Sequence, residues 1–391
     1  MSQMMTQFLA YETLTWPEVA QLPRSMPLIL PLGEGYPLDR LAEGLGQPSR
    51  IALLPSIPYG WRGSGIAVPE GVLGQLVSNL LDSLRDDGFT QVRALTPQGI
   101  DLGLEDNRIA LPDPSQHAPV TLLNDADRGK VVLVPIGHTE QHGNHLPLST
   151  DTLIIEAIGR GTAASAPDLA TCLPVFPYGV STHRSSFAGT LNTGGRAFED
   201  FWLAVTDALV QRGFVRFYLI SGHGGSCSFL VNVAKYAGER HRRIFCATAF
   251  LHTAGHIAAP VVQQYRRSRR GGMGHAGELE TAMMLHLRPD LVHMERVVDE
   301  TDFVATESYY MEWIEGGALI ANPPWDDDTV TGAYGAGSLA TSENGRRWLE
   351  AGVAEKAAHV REIHEQQRRR EERRKQGYGL WGRGREQHHT G

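Results

Sequence analysis

The sequence predicts an α/β protein: a three-layer sandwich around a mostly parallel sheet, present in two tandem copies. Three observations predict it. Short apolar runs alternate with longer amphipathic stretches of helical period. The heptapeptide LPSIPYG at 54–60 returns as LPVFPYG at 173–179. The segment 73–95, an amphipathic helix followed by Gly88-Phe89 and an apolar run, has the same layout as 198–219, where Gly213-Phe214 holds the corresponding place. Internal similarity of this kind is the sequence mark of a repeated structural unit.

The elements follow in order. The first copy opens on PLILPLG (27–33), the second on VVLVPIG (131–137). Continuous apolar runs of this length, closed by glycine, read as strands of a parallel sheet buried on both faces. Each is followed by a helical stretch, the LPxxPYG strand, a second helix, the Gly-Phe turn and a third strand. Residues 101–129, rich in Asp, Pro and Gly with weak periodicity, read as the joint. The second copy continues with a helix at about 225–239, a strand at 244–250 and a helix from near Gly277. Residues 309–337, with paired prolines and repeated glycines, read as a long loop. Ser342 is the expected cap of a final helix. The expected domains are 1–125, 126–365 and a basic tail, 366–391.

Composition limits the function. Of 391 residues, 41% are apolar and 20% charged, which fits a globular chain of two domains and excludes a wholly disordered, collagenous or coiled-coil protein. The longest aliphatic stretches, such as 131–134, fall far short of the roughly 20 residues needed to cross a bilayer, and the N-terminus lacks a basic region before an apolar run. Cys172, Cys227 and Cys246 form no CxxC, so a disulfide framework or zinc ribbon is not expected and a reducing cytoplasm fits. The net charge of −8 divides into +5 on the tail and −13 on the body. An acidic body argues against nucleic acid as the main partner. The tail reads as the solvated end of a helix running into disorder.

The two copies differ in their polar residues. After its first strand the second copy carries Glu140 and His142, close enough to share one turn, with Asp151 nine residues beyond, just before a helix expected at 152–164. His223 lies in SGHGG (221–225), after the Gly-Phe strand. The corresponding stretches of the first copy hold only Glu34-Gly35-Tyr36-Pro37 and Thr96-Pro97-Gln98. His275 and Glu278, in HAGE, would share a helix face at i and i+3, turning Glu280 away. Ligands in α/β sheets bind beyond the carboxyl ends of the strands, where the Glu140 and His223 clusters fall. Imidazoles and carboxylates without thiolates suit Zn²⁺, Mn²⁺ or Fe²⁺. Taken singly, each residue is as well explained by a turn or a hydrogen bond, and GHGG lacks the Lys and Ser/Thr of a phosphate loop. Their combination at element ends, and its absence from the first copy, points to a metal site.

From about Lys130 to Glu350 the sequence resembles the creatininase (creatinine amidohydrolase) family. The resemblance rests on six blocks in family order: 131–154, LPVFPYGVSTH (173–183), FAGTLN (187–192), SGHGG (221–225), HAGELETAMMLHLRPDLV (275–292) and YGAGSLATSENG (334–345). It implies a creatininase-like fold and two divalent metal ions (Zn, Mn or Fe). Glu140 and His223 would hold one ion and His142 the other, with Asp151 bridging. Where creatininase has a further carboxylate, two residues past His223, stands Gly225, and Glu278 is the expected substitute. His275 matches an active-site histidine and is placed to protonate a leaving nitrogen, or to orient a bound water. Ser221, Ser226 and Asn144 depart from the family pattern at the pocket. Ser221, His145 and His183 are candidate substrate contacts, the two histidines equally placed to be structural hydrogen-bonders. Tyr309, Tyr310, Trp313 and Trp325 are candidate pocket aromatics.

The activity so implied is metal-dependent hydrolysis of a cyclic or non-peptide C–N amide bond in a small molecule. A peptidase trimming a ribosomally made precursor peptide is the alternative within the family, and a metal-free binding or scaffold protein the alternative outside it. No membrane partner is expected. A homo-oligomer is compatible, and the first, metal-free copy is expected to pack on the catalytic one as subunits pack in a two-fold dimer.

Overall fold

The computed structural model describes residues 5–112, 122–182, 186–251, 255–311, 314 and 316–378. Its strands are β1 (Gln7–Ala10), β2 (Leu28–Pro31), β3 (Arg50–Leu53), β4 (Val92–Pro97), β5 (Arg108–Leu111), β6 (Val131–Ile136), β7 (Ala170–Cys172), β8 (Arg216–Ser221) and β9 (Phe245–Ala249). Its helices are α1 (Trp16–Ala20), α2 (Leu38–Gly44), α3 (Glu70–Asp86), α4 (Thr150–Ser165), α5 (Gly195–Gln211), α6 (Cys227–Arg240), α7 (Ala258–Tyr265), α8 (Glu278–Leu287) and α9 (Ser342–Lys375).

Two sheets result, one ordered β1-β3-β2-β4-β5 and the other β7-β6-β8-β9. Every pairing in both is parallel. Setting β1 aside, the four remaining strands of the first sheet follow the same order as the second. Parallel bridges Leu32–Ile57 and Ile136–Phe176 extend equivalent strand pairs. β2 and β6 are buried along their whole length, as strands covered by helices on both faces must be.

The stretch read as a joint contains β5, whose partner is Ala94–Pro97 of β4. Four residues, Arg-Ile-Ala-Leu, are too few to show a period, and pairing to β4 settles their conformation. The final helix is capped by Thr341, whose hydroxyl accepts the Asn344 amide at 3.2 Å, and not by Ser342. It continues to Lys375, beyond the expected boundary at 365. Gln367 is buried and the Arg370 guanidinium lies 5.4 Å from the Phe245 ring centroid, so the first turns of the basic tail are packed helix. No helix among the described residues is long and apolar enough to cross a membrane.

One continuous core joins the two halves. α3 buries Leu73, Leu76, Val77, Leu80, Leu81 and Leu84, and α5 buries Phe198, Phe201, Trp202, Val205 and Leu209. The repeated PYG segments meet there. Tyr59 sits edge-on to Trp202 at 6.4 Å, Phe176 lies 4.9 Å from Phe201, and the Tyr178 hydroxyl donates to the Pro55 carbonyl. Gly60 has φ 128°, and a Cβ there would stand 3.1 Å from Phe201. A fragment beginning at residue 126 would expose this aromatic surface. It should aggregate or elute as higher oligomers on size exclusion, whereas a soluble, monomeric and fully active fragment would show the first half to be an independent module.

The first half also braces the loop that leads to Asp151. The Leu148 amide donates to the Leu14 carbonyl at 2.9 Å and the Ser149 amide to the Glu12 carbonyl at 3.0 Å.

Candidate metal centre

β6 ends at Ile136, and residues 138–142 that follow are all buried. This segment delivers Glu140 and His142 over the start of α4, whose first turn holds Asp151. β8 ends at Ser221, and His223 follows two residues later. Gly222 allows the approach: a Cβ there would stand 2.4 Å from the Asp151 carbonyl oxygen, so any side chain would push the turn off α4. Each side chain therefore leaves the carboxyl edge of a parallel sheet or an adjoining helix start.

Glu140, His142, Asp151 and His223 are brought together. His223 Nδ1 lies 2.9 Å from Glu140 Oε2 and 3.2 Å from Asp151 Oδ2. His142 Nε2 lies 3.1 Å from Asp151 Oδ1. Asp151 thus turns one oxygen to each histidine.

Glu278 is not part of this cluster. Its carboxylate accepts the Arg267 amide at 2.9 and 3.0 Å and the Ser268 amide at 2.6 Å, and so holds the chain before α8. Glu280 takes the place expected of it. Its Oε2 lies 3.8 Å from His142 Nε2 and accepts the Ala276 amide at 2.6 Å. The i, i+3 argument fails because His275 is not helical: α8 starts only at Glu278, and Ala276 has φ 52°. That left-handed residue rotates the frame and exchanges the two glutamates.

His275 does reach the centre. Its ring lies 4.1 Å from that of His142, and Trp325 packs edge-on at 4.8 Å. Its Nε2–H donates to the Gln141 carbonyl at 2.6 Å, leaving Nδ1 as an acceptor. Burial, aided by His142, lowers its pKa to about 3, so the imidazole is neutral. His145 Nε2 meets Thr281 Oγ1 at 2.9 Å. Ser221 is spent on the turn: its hydroxyl donates to the His223 carbonyl at 2.7 Å and accepts the His223 amide at 3.1 Å. His183 and Trp313 lie outside the described residues.

Two residues of the quoted motif belong to the centre beyond those singled out. His138 stacks on His223 at 4.3 Å and takes the Gly179 amide on Nδ1 at 2.9 Å. Gln141 donates to the Gly332 carbonyl at 2.9 Å and accepts the Gly143 amide at 3.0 Å, fastening the loop. His138 stands two residues before Glu140, and that spacing was the available signal. Three groups among the described residues bring ligand atoms within 4.8 Å of one another: His138 with Glu140 and His223, Glu140 with His142 and His275, and His142 with Asp151 and Glu280.

The donor chemistry fits divalent cations. His142 Nδ1 faces the Glu140 carbonyl at 3.0 Å, and His223 Nε2 faces the Val180 carbonyl at 2.9 Å. A neutral imidazole can donate on only one nitrogen. The other nitrogen of each ring then points a lone pair at carboxylate oxygen, which calls for a cation between them. Glu140 Oε2 and Asp151 Oδ2 are buried without a hydrogen-bond partner of normal geometry, despite their closeness to His223. In the metal-free protein a proton fills the gap. Burial opposes it, but Asp151, Glu280 and Glu140 raise His142 from 6.5 to about 9.

A folded-state pKa raised above its unfolded value stabilises the protein fully below the unfolded pKa, and that contribution is lost as pH rises through the folded one. The metal-free protein should therefore lose thermal stability between pH 6.5 and about 9, whereas the metal-loaded protein, with a cation already in place, should not. Melting curves of chelator-stripped and loaded protein across this range check it.

A parallel sheet whose carboxyl edge gathers buried imidazoles and carboxylates is the arrangement of an α/β enzyme whose site could hold metal ions. The sequence model of the family described as creatinine amidohydrolase matches residues 120–360, and the chain belongs to the creatininase family. It is a hydrolase acting on C–N amide bonds. It is 31% identical over 235 residues to a mycofactocin precursor peptide peptidase of Mycolicibacterium smegmatis, covering 56% of this chain and 85% of that one. It is 28% identical over 182 residues to a creatinine amidohydrolase of Pseudomonas putida, covering 43% and 68%. Among solved structures, a creatininase described as the Mn form aligns at TM-score 0.51 and 24% identity, covering 61% of this chain and 92% of that chain. A creatinine amidohydrolase aligns at TM-score 0.52 and 24% identity, covering 60% and 91%. At that identity the structural likeness establishes the fold.

Proposed function

We propose that this protein is a metal-dependent amidohydrolase in which two divalent ions act on the C–N amide bond of a small molecule. The observation that carries the reading is Asp151, whose two oxygens face His142 and His223 at 3.1 and 3.2 Å, as a carboxylate shared between two ions would. Glu140 and His223 would hold one ion, and His142 and Glu280 the other. When bound, such ions polarise a carbonyl oxygen and lower the pKa of water towards 7. The chain's own residues do the rest. The carbonyls of Glu140 and Val180 fix the two ligand imidazoles in one tautomer each. His275, neutral, is the candidate to orient the attacking water or to pass a proton to the leaving nitrogen, Nε2 being held by the Gln141 carbonyl. Trp325 closes one side of His275, and Gln141 holds the loop against Gly332.

No thiol chemistry is part of this reading. Burial raises the pKa of all three cysteines, Cys172 and Cys246 to about 12, which disfavours a thiolate nucleophile.

A second reading concerns the substrate. The longer alignment, with 85% of its length covered, is to a peptidase acting on a precursor peptide, and this favours a peptide amide about as well as a small molecule. The metal-free scaffold reading is opposed by the buried cluster of imidazoles and carboxylates. Metal analysis and hydrolysis assays test all three. The proposal expects close to two ions per chain, activity abolished by chelation and restored by Zn²⁺ or Mn²⁺, and turnover of a small amide such as creatinine. Turnover of precursor peptide alone would transfer the site to the second reading. A folded protein that takes up no metal would overturn both.

A further inference from the structure

The segment 325–335 packs on the candidate centre. Its Gly332 carbonyl accepts the Gln141 side-chain amide at 2.9 Å, its Tyr334 amide donates to the His275 carbonyl at 2.8 Å, and Trp325 lies on the His275 ring at 4.8 Å. Gly332 has φ 84°, and a Cβ there would collide with Gln141 Oε1, so bare backbone must lie against Gln141. Gln141 in turn stands between Glu140 and His142, and its own carbonyl accepts His275 Nε2–H at 2.6 Å. Within the second half the segment is tied by Glu300, whose carboxylate accepts the Val330 amide at 2.7 Å and the Thr331 amide at 3.0 Å.

The first half holds the same segment. Trp16 is half-buried at the start of α1, and its indole N–H donates to the Thr331 carbonyl at 2.8 Å, one residue before Gly332. Its ring stands edge-on to Phe187 at 5.3 Å, and Phe187 shares a small buried cluster with Trp325 and Tyr334. An indole suits this place because one side chain serves both an apolar contact and a hydrogen bond. The turn that carries it is itself fixed. The Thr15 amide and hydroxyl both donate to Glu18 Oε2 at 2.9 Å, and Glu18 Oε1 meets Arg296 at 3.2 Å.

We propose that Trp16 is a positioning residue of the candidate centre, supplied by the first half: by holding Thr331 and Phe187 it sets the Gly332 carbonyl on Gln141 and Trp325 on His275. It acts through this segment and not by contact with the reacting atoms. The half that carries none of the proposed ligands thereby helps to shape their site. The inference rests on the metal reading only in naming what is positioned.

Hydrogen exchange of the whole protein, read by mass spectrometry, tests this, with Co²⁺ as the metal probe. Trp16→Phe keeps an aromatic ring beside Phe187 and removes the N–H donor. Amides in 331–335 and in 141–145 should then exchange about three- to tenfold faster, the scale of one lost hydrogen bond. Co²⁺ stoichiometry should stay as in the wild type while the visible absorption of bound Co²⁺ shifts, because Gln141 lies between Glu140 and His142. Leu41→Ala, in a separate core cluster of the first half, controls for lost stability and should change neither readout. Phe187→Leu, read in the same way, serves as the second variant should Trp16→Phe melt early. Wild-type exchange in both segments, faster exchange confined to 331–335, an unshifted Co²⁺ spectrum, or the same changes in Leu41→Ala would overturn the proposal. Wild-type protein that takes up no Co²⁺ would sink the metal reading, and the exchange rates would still decide the role of Trp16.

Discussion

Replacing Asp151 by Ala should remove both metal ions and reduce hydrolysis by about 10²–10³-fold or more, the scale on which loss of transition-state electrostatics is felt. The reason is the two-sided geometry. Oδ1 faces His142 at 3.1 Å and Oδ2 faces His223 at 3.2 Å, so neither half of the centre keeps its charge balance without this side chain. Asp151 is also the acidic residue of the first turn of α4, and its loss removes a favourable charge at a helix N-terminus, worth about 0.3–1 kcal/mol. That cost is small beside the functional one, so the variant should fold with a native circular dichroism spectrum. Elemental analysis reads the outcome, and full metal occupancy in folded Asp151→Ala would remove the bridging assignment.

The second large effect separates two glutamates that are two residues apart. Glu280→Gln should lower the metal content towards one ion per chain and reduce the rate by about 10²-fold or more, because the carboxylate opposite His142 loses its charge. Glu278→Gln should keep both ions. Its carboxylate is fully buried but serves the amides of Arg267 and Ser268, so the variant should lose about 1–3 kcal/mol of stability through weakened charge-assisted hydrogen bonds. Metal content and melting temperature, measured on both proteins, therefore move in opposite patterns. A Glu278→Gln protein that loses metal while Glu280→Gln retains it would restore the assignment by helical spacing and refute the geometric one.

These two effects bear on why the centre tolerates so much buried charge. Glu140, Asp151 and Glu280 lie within one water-excluded cluster with His142 and His223. Burial disfavours each carboxylate, and the neighbouring imidazoles offset this for Glu140 and Asp151, which are held well below the usual range. Glu280 is raised to about 7, by burial first and by Asp151 and Glu140 besides. Three acids and two cation-accepting rings in one pocket are stable only when positive charge is shared among them, which is the task of the ions proposed here.

The α/β class, the parallel strands β2, β4, β6 and β8, the helices α3 and α5, and four members of the centre, Glu140, His142, Asp151 and His223, were legible in the amino-acid sequence; the strands expected on the LPxxPYG segments instead end just before them, β3 at Leu53 and β7 at Cys172. The legible features each depend on local pattern. A short buried apolar run closed by glycine reads as a parallel strand, and a polar residue just after it then stands at the sheet's carboxyl edge. The tertiary structure decided what depends on partners distant in the chain. β5 exists through pairing with β4. Thr341, not Ser342, caps α9, and the tail's first turns are held by Gln367 and by Arg370 over Phe245. Ser221 is consumed by its own turn, and His138 enters the centre by stacking on His223. The choice between Glu278 and Glu280 rests on the backbone of Ala276, left-handed, and Gly277, extended, where side-chain spacing assumes a helix. Spacing along a chain fixes a side chain's direction only where the backbone is regular, and here it becomes regular three residues too late for His275 and Glu278 to share a face.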